Sequence, residues 1–184
     1  YTCRQGWCCW GNISFTGAQF RHKDLLQVVP FISMITINLF KTPHTSADDR
    51  TTIDFSSPQI EAIFYYLVYS RRPIRHTELT SLFWQLDPQP AILAELQATL
   101  AALQQQVGDY LIITPESSAF NRGLEHWVDL YELESLLGDH TISEQQKLEE
   151  LRRLYRGELL PGLERTHGIE FRAWLYQQRQ QFNA

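Results

Sequence analysis

The sequence predicts an α+β chain, with short strands and helices mixed through its middle and helices alone towards its C-terminal end. Three observations point there. Met34 to Phe40 alternates apolar and polar residues in the period of a half-buried strand. Leu93, Leu96, Leu100, Leu103 and Val107 fall on one side of a long helix, and two short strand-like runs follow around Pro115 to Ser118. After Gly123 the apolar positions recur at helical spacing only. The 184 residues, 43% hydrophobic and 20% charged, suffice for an ordinary buried core.

Residues 1–33 show no sustained period and contain Cys3, Cys8 and Cys9, all the cysteines of the chain. They read as a poorly ordered or non-native extension, and folded structure is expected from Met34, the sole methionine. The Met34–Phe40 strand comes first. Thr42 to Asp49 is polar, contains Pro43, and reads as a loop. Thr51 to Phe55 can form a second strand. Ser56 or Ser57 then caps a helix that has Pro58 in its first turn and Glu61 near its positive end. Ile60, Phe64, Leu67 and Val68 form that helix's buried stripe, and Pro73 stops it. Thr77 is placed to cap a short helix that buries Leu79, Leu82 and Phe83. Asp87 to Pro90 is a tight connection to the long helix, Ala91 to Val107, which Gly108 and Asp109 end. Tyr110 to Thr114 and Ala119 to Arg122 are expected to pair as a hairpin. Beyond Gly123, Asp129 can cap a helix from Leu130 to Leu137. Ser143 to Tyr155 and Ile169 to Phe182 are two further helices. Glu144/Lys147 and Glu149/Arg152/Arg153 offer helix-spaced ion pairs in the first of these. The aromatic residues Tyr65, Tyr66, Trp84, Trp127 and Trp174 suit core packing.

Strands, helix, short helix, long helix, hairpin is the order of a winged helix-turn-helix: a small antiparallel sheet, three helices and a β-hairpin wing. The expected organisation is an extension over 1–33, a winged helix over 34–123 and an all-α segment over 124–184. Three crowded cysteines make a poor disulfide framework, and the rest of the chain has none, which fits a reducing compartment such as the cytoplasm. Leu25 to Phe40 is too short and too interrupted to span a membrane. No Cys–His set has zinc spacing, there is no glycine-rich phosphate loop, and no Ser–His–Asp order stands in a motif. No enzyme activity, metal or cofactor is therefore expected.

Several stretches together are similar to a known family. Ile60-Glu-Ala-Ile-Phe-Tyr-Tyr-Leu67 with Arg72-Pro73, and then Leu82-Phe-Trp84, resemble its first helix and the segment after it. Leu111-Ile-Ile-Thr114, Ala119-Phe-Asn-Arg122 and Trp127-Val-Asp129 resemble its wing and following helix cap. Leu154-Tyr-Arg-Gly-Glu-Leu-Leu-Pro-Gly162, with Glu170-Phe171 and Trp174 to Arg179, resembles its activator-domain signature. The family is that of the bacterial transcriptional activator domain (BTAD) regulators, which includes the SARP-like antibiotic regulatory proteins of actinomycetes. The resemblance spans roughly Met34 to Phe182. It implies a DNA-binding transcription regulator whose helical segment opens a tetratricopeptide-like (TPR-like) activator domain, with more helices to follow.

That resemblance implies duplex DNA as a partner, with RNA polymerase or a second copy of the chain beside it. In the family the third helix is rich in Arg and Asn. Here it has no Lys or Arg: Gln97, Gln104 and Gln105 stand where arginines are usual, and Glu95 where asparagine is. From Met34 to Gly123, six cations against nine anions leave a net charge of −3, and the whole chain carries −5. Affinity for DNA scales with phosphate contacts, so binding is expected to be weak. The candidate contact residues are Arg71, Arg72, Arg75 and Thr77 around the second helix, Gln97, Gln104 and Gln105 on the third, and Arg122 at the wing. Each has a plainer reading as a solvated surface residue, and Ala94, Ala98, Ala101 and Ala102 could be filler or a packing seam. The rival function is a winged helix that no longer binds DNA and serves as a protein-interaction module.

Overall fold

In the computed structural model, which describes residues 34–48, 51–85, 89–165 and 168–182, short sheets and helices share one core. β1 (Ile35–Asn38) follows its alternation, with Ile35 and Ile37 fully buried. The polar stretch expected to be a loop instead contains β2 (His44–Ala47), antiparallel to β1 with Ile35 opposite Ala47. Its buried residues are Thr45 and Ala47, too small and too polar to mark a strand in sequence. The pairing with β1 forms it. The second expected strand is only β3 (Thr51–Thr52), on β2.

α1 (Pro58–Ser70) begins as predicted: the Ser57 hydroxyl accepts the Ile60 N–H, and Pro58 occupies the first turn. It ends before Pro73 acts, because Arg71 takes a left-handed conformation (φ 55°) and donates its N–H to the Leu67 carbonyl. Ile74 and Arg75 form β4, and α2 (His76–Trp84) starts at once. Thr77 is therefore not the cap of α2. Arg75 holds that position, with no side-chain capping bond, and Thr77 lies exposed in the first turn. Asp87 and Pro88 of the Asp87–Pro90 connection lie outside the described residues.

α3 (Pro90–Val107) buries Leu96, Leu100, Leu103 and Val107, while Leu93 is only half-buried. A 3-10 turn over Gly108–Tyr110 leads to β5 (Leu111–Ile113). β6 (Ser117–Phe120) pairs with β5, Leu111 opposite Phe120, and with β4 on its other side. The expected hairpin is thus present, enlarged by β4.

β7 (His126–Val128), which no sequence signal announced, lies parallel to β1 and completes a sheet ordered β3-β2-β1-β7. Three residues are too few to show a period. α4 (Asp129–Gly138) follows directly. Asp129 is its first residue and not its cap, which is Val128. The Asp129 side chain is 3% exposed. Its carboxylate accepts backbone N–H groups from Leu39 (2.8 Å), Phe40 (3.1 Å) and Leu130 (2.7 Å). The end of β1 and the start of α4 are joined through this one group.

α5 (Glu144–Leu154) has a full capping box between Ser143 and Gln146. The predicted ion pairs do not form. Arg153 pairs with Glu150, and Lys147 donates to the carbonyls of Leu137 and Asp139 at the end of α4. A 3-10 turn at Leu163–Arg165 precedes α6 (Ile169–Phe182).

α6 packs Phe171 and Trp174 against Phe83 of α2 and Tyr66 of α1. Arg179, at its end, donates to the carbonyls of Leu159 and Leu160 and pairs with Glu158 and Glu164. The segment it holds bridges back to β1, since the Leu160 N–H donates to Leu39 and the Lys41 N–H to Glu158. The all-α end is therefore packed on the helices and the sheet of the winged part.

Removing the Asp129 carboxylate leaves three buried donors without a partner, at about 1 kcal/mol or more each. D129A is expected to lower the unfolding free energy by roughly 3 kcal/mol or more, read from a urea melt.

Candidate nucleic-acid interface

The face that a winged helix offers to DNA is the outer side of α3 with the hairpin beside it. Gln97, Gln104 and Gln105 all lie exposed there, Gln105 opposite the leucine stripe and Gln97 and Gln104 on its flank. Gln97, Ala101 and Gln104 share one row by helical spacing, and Ala94, Ala98 and Gln105 lie beside it. Glu95 is exposed on the same helix, and Ile112 of β5 is an exposed apolar residue on the hairpin. The surface is polar, and Glu95 is its only charge on α3. Glutamine amides can bond adenine edges, but they release no counterions.

The structure brings the remaining candidates to different places. Arg71 faces away from α3. Its guanidinium lies over the Tyr131 ring, 4.0 Å from the centroid, and pairs with Glu134 of α4. The Tyr131 hydroxyl donates to the Val68 carbonyl, so ring, guanidinium and the end of α1 form one assembly. Arg72 donates to Glu78 at 2.7 Å and 3.3 Å, and the Tyr66 hydroxyl donates to the same carboxylate at 2.9 Å. Burial raises the Glu78 pKa, but the bonds from Arg72 and Tyr66 and the nearby charge of Arg75 outweigh it and hold it below the ordinary value. Arg75 and Thr77 are exposed at the start of α2, with Arg75 opposite Ser117 of the hairpin. Arg122 is exposed just beyond β6.

Sequence reasoning missed Glu78, Glu134 and Tyr131, which engage two of the arginines. Glu78, six residues after Arg72 and in the first turn of a helix, could have been suspected. Glu134, 63 residues from Arg71, has no sequence signal.

Beside Arg75, His76 is buried, its Nε2 3.1 Å from the Ser118 hydroxyl. Burial lowers its pKa below the ordinary 6.5, against bonds to the carbonyls of Pro115 and Ser117 that raise it.

Elsewhere, a cleft of about 290 Å³ between β1, β7 and α5 is lined by Trp127, Asp129, Arg153 and Arg156 among others. Its one carboxylate, Asp129, is already engaged by backbone donors, which leaves it poorly placed for acid–base chemistry. Among the described residues no group of three or more His, Cys, Asp or Glu is placed to hold a metal ion, and no helix is long and apolar enough to cross a membrane.

No family model and no curated protein sequence matches the chain. Among solved structures it is similar to Mycobacterium tuberculosis EmbR in complex with a low affinity phosphopeptide. The TM-score is 0.60 at 16% identity, over 80% of this chain and 41% of that one. The likeness is one of fold, and this chain spans less than half of that protein's length. The class defined by fold and surface together is a winged-helix protein with an attached helical segment.

Two outcomes are expected. Arg71→Ala should cost about 1 kcal/mol, from a cation–π contact and a partly exposed ion pair, while leaving any DNA affinity unchanged. The unfolded chain takes up a proton on histidine before buried His76 does, so this residue's contribution to stability falls as pH drops below about 6.5. The stability advantage of wild type over His76→Gln should therefore shrink between about pH 8 and about pH 5, measured by urea melts.

Proposed function

We propose that this chain is the DNA-facing end of a transcription regulator of the BTAD, SARP-like kind. Residues 34–123 form its winged helix, and residues 124–182 open its TPR-like activator domain. The observation that carries the reading is the free outer face of α3, with a β-hairpin wing beside it. The fold shared with EmbR supports the family resemblance read from the sequence. Gln97, Gln104 and Gln105 contact base edges, and Arg75, Thr77 and Arg122 contact phosphates. Arg71 and Arg72 are engaged by Glu134 and Glu78 and contribute little to DNA. The cytoplasm is the compartment such a regulator occupies.

The same pairing of Arg71 and Arg72, with the cation-free α3, favours a second reading. In it the winged helix binds protein and not DNA.

Two free arginines at the interface set the salt dependence. The slope of log K against log salt should be close to −2, by about −0.9 for each phosphate neutralised. Fluorescence anisotropy of the full chain on a random-sequence duplex, from about 10 to 200 mM salt, measures it. Binding at low salt with that shallow slope, weakened by R75A, supports the regulator reading. No binding at the lowest salt sinks it and leaves the protein-interaction module.

A further inference from the structure

α5 is sharply amphipathic, yet it buries none of its residues. Leu151 and Leu154 lean half-buried on the core. The row flanking that side, Glu144, Leu148 and Arg152, spaced by four residues, is exposed throughout, with Leu148 at 49%. Leu137, at the end of the adjoining α4, is also 49% exposed. The ion pair within α5 joins Glu150 to Arg153, and neither Glu144 nor Arg152 enters the ion pairs found among the described residues.

The charge pattern selects an occupant. Glu144 and Arg152 are equidistant from Leu148, one turn before it and one turn after. Such a row is complementary to its own copy turned end for end, and a parallel copy would oppose Glu144 to Glu144. A two-fold dimer requires this kind of self-complementary patch. One acid, one base and an apolar centre do not suit a polyanion.

We propose that α5 forms an antiparallel homodimer interface with a second copy of the chain. Leu148 meets Leu148 on the two-fold axis, and Glu144 of each copy faces Arg152 of the other. Two helices of 11 residues cover less than the roughly 800 Å² per partner of a standard interface, so the dimer is weak and depends on concentration. The inference does not depend on DNA binding.

Sedimentation equilibrium of the full chain tests it, in a C3S/C8S/C9S background that removes adventitious disulfides, up to about 1 mM protein. The mean mass should rise from the 21.5 kDa of one chain towards twice that value. E144K and R152E should each weaken the dimer by about 10-fold or more, and E144K/R152E should restore it to within about 3-fold, because the reversed charges again face opposites. In the same background L148C should give a disulfide-linked dimer on mild oxidation, which checks the axis without the charge variants. A chain that stays monomeric throughout overturns the proposal and leaves the α5 face to a different protein. So does a dimer that the single reversals leave intact, a double variant no better than the singles, or failure of L148C to cross-link.

Discussion

Three backbone N–H groups converge on the buried carboxylate of Asp129, and much of the architecture hangs on that point. β1 has strand partners on both sides only up to Ile37, and on the β2 side up to Asn38. Beyond it the chain turns, and the donors of Leu39 and Phe40 would be stranded in the core. The carboxylate takes both, and it takes the Leu130 donor in the first turn of α4 as well. A buried charge is tolerable only with such a set of hydrogen bonds. The result is a rigid corner where the winged part's sheet hands over to the helices. Arg179 does the same for the bend at Leu159 and Leu160, whose carbonyls it satisfies while that bend bonds back to Leu39. Two charged groups thus fasten the helical end to the C-terminal end of β1.

The aromatic contacts work alongside them. Phe171 and Trp174 pack edge-on or tilted against Phe83 and Tyr66, so α6 rests on the two helices that precede and orient α3. Non-directional burial supplies most of the stabilisation in such a cluster, and ring geometry refines it. On another side of α1, Arg71 lies over Tyr131 and pairs with Glu134 of α4. An arginine that sequence alone leaves free for phosphate becomes part of the joint between α1 and α4.

Electrostatics set this chain apart from what its fold suggests. A winged helix reads DNA by shape and base edges, but its affinity comes mostly from cations. α3 has the shape, a solvent-facing polar row and a hairpin alongside, without the cations. Its alanines and glutamines make a good helix and a neutral surface. The charge that is free and self-complementary lies on α5, at the other end of the chain. The two proposed contacts, with DNA and between copies, thus fall on separate elements.

The elements readable in sequence were those with a local cause. Ser57-Pro58 starts α1, the leucine row defines α3, Ser143 and Gln146 box the start of α5, and two apolar runs around a turn make the hairpin. Each is set within a few residues. β2 and β7 carried no such mark, because a strand of three or four residues with Thr, Ala or His inside exists only through its pairing with β1. Thr77 was misread as a cap because its residue type fits, whereas the ladder from β4 to the hairpin starts α2 two residues earlier. The positions of the glutamines followed from helical spacing. The fate of Arg71 did not, since its partner comes from 63 residues away. By itself, then, the sequence determined the helices, the hairpin and the cation-free face of α3, all consequences of spacing and residue type. The tertiary structure alone decided which arginines stay free and how the helical end is fastened, because those depend on charges and donors that meet only after the chain has folded.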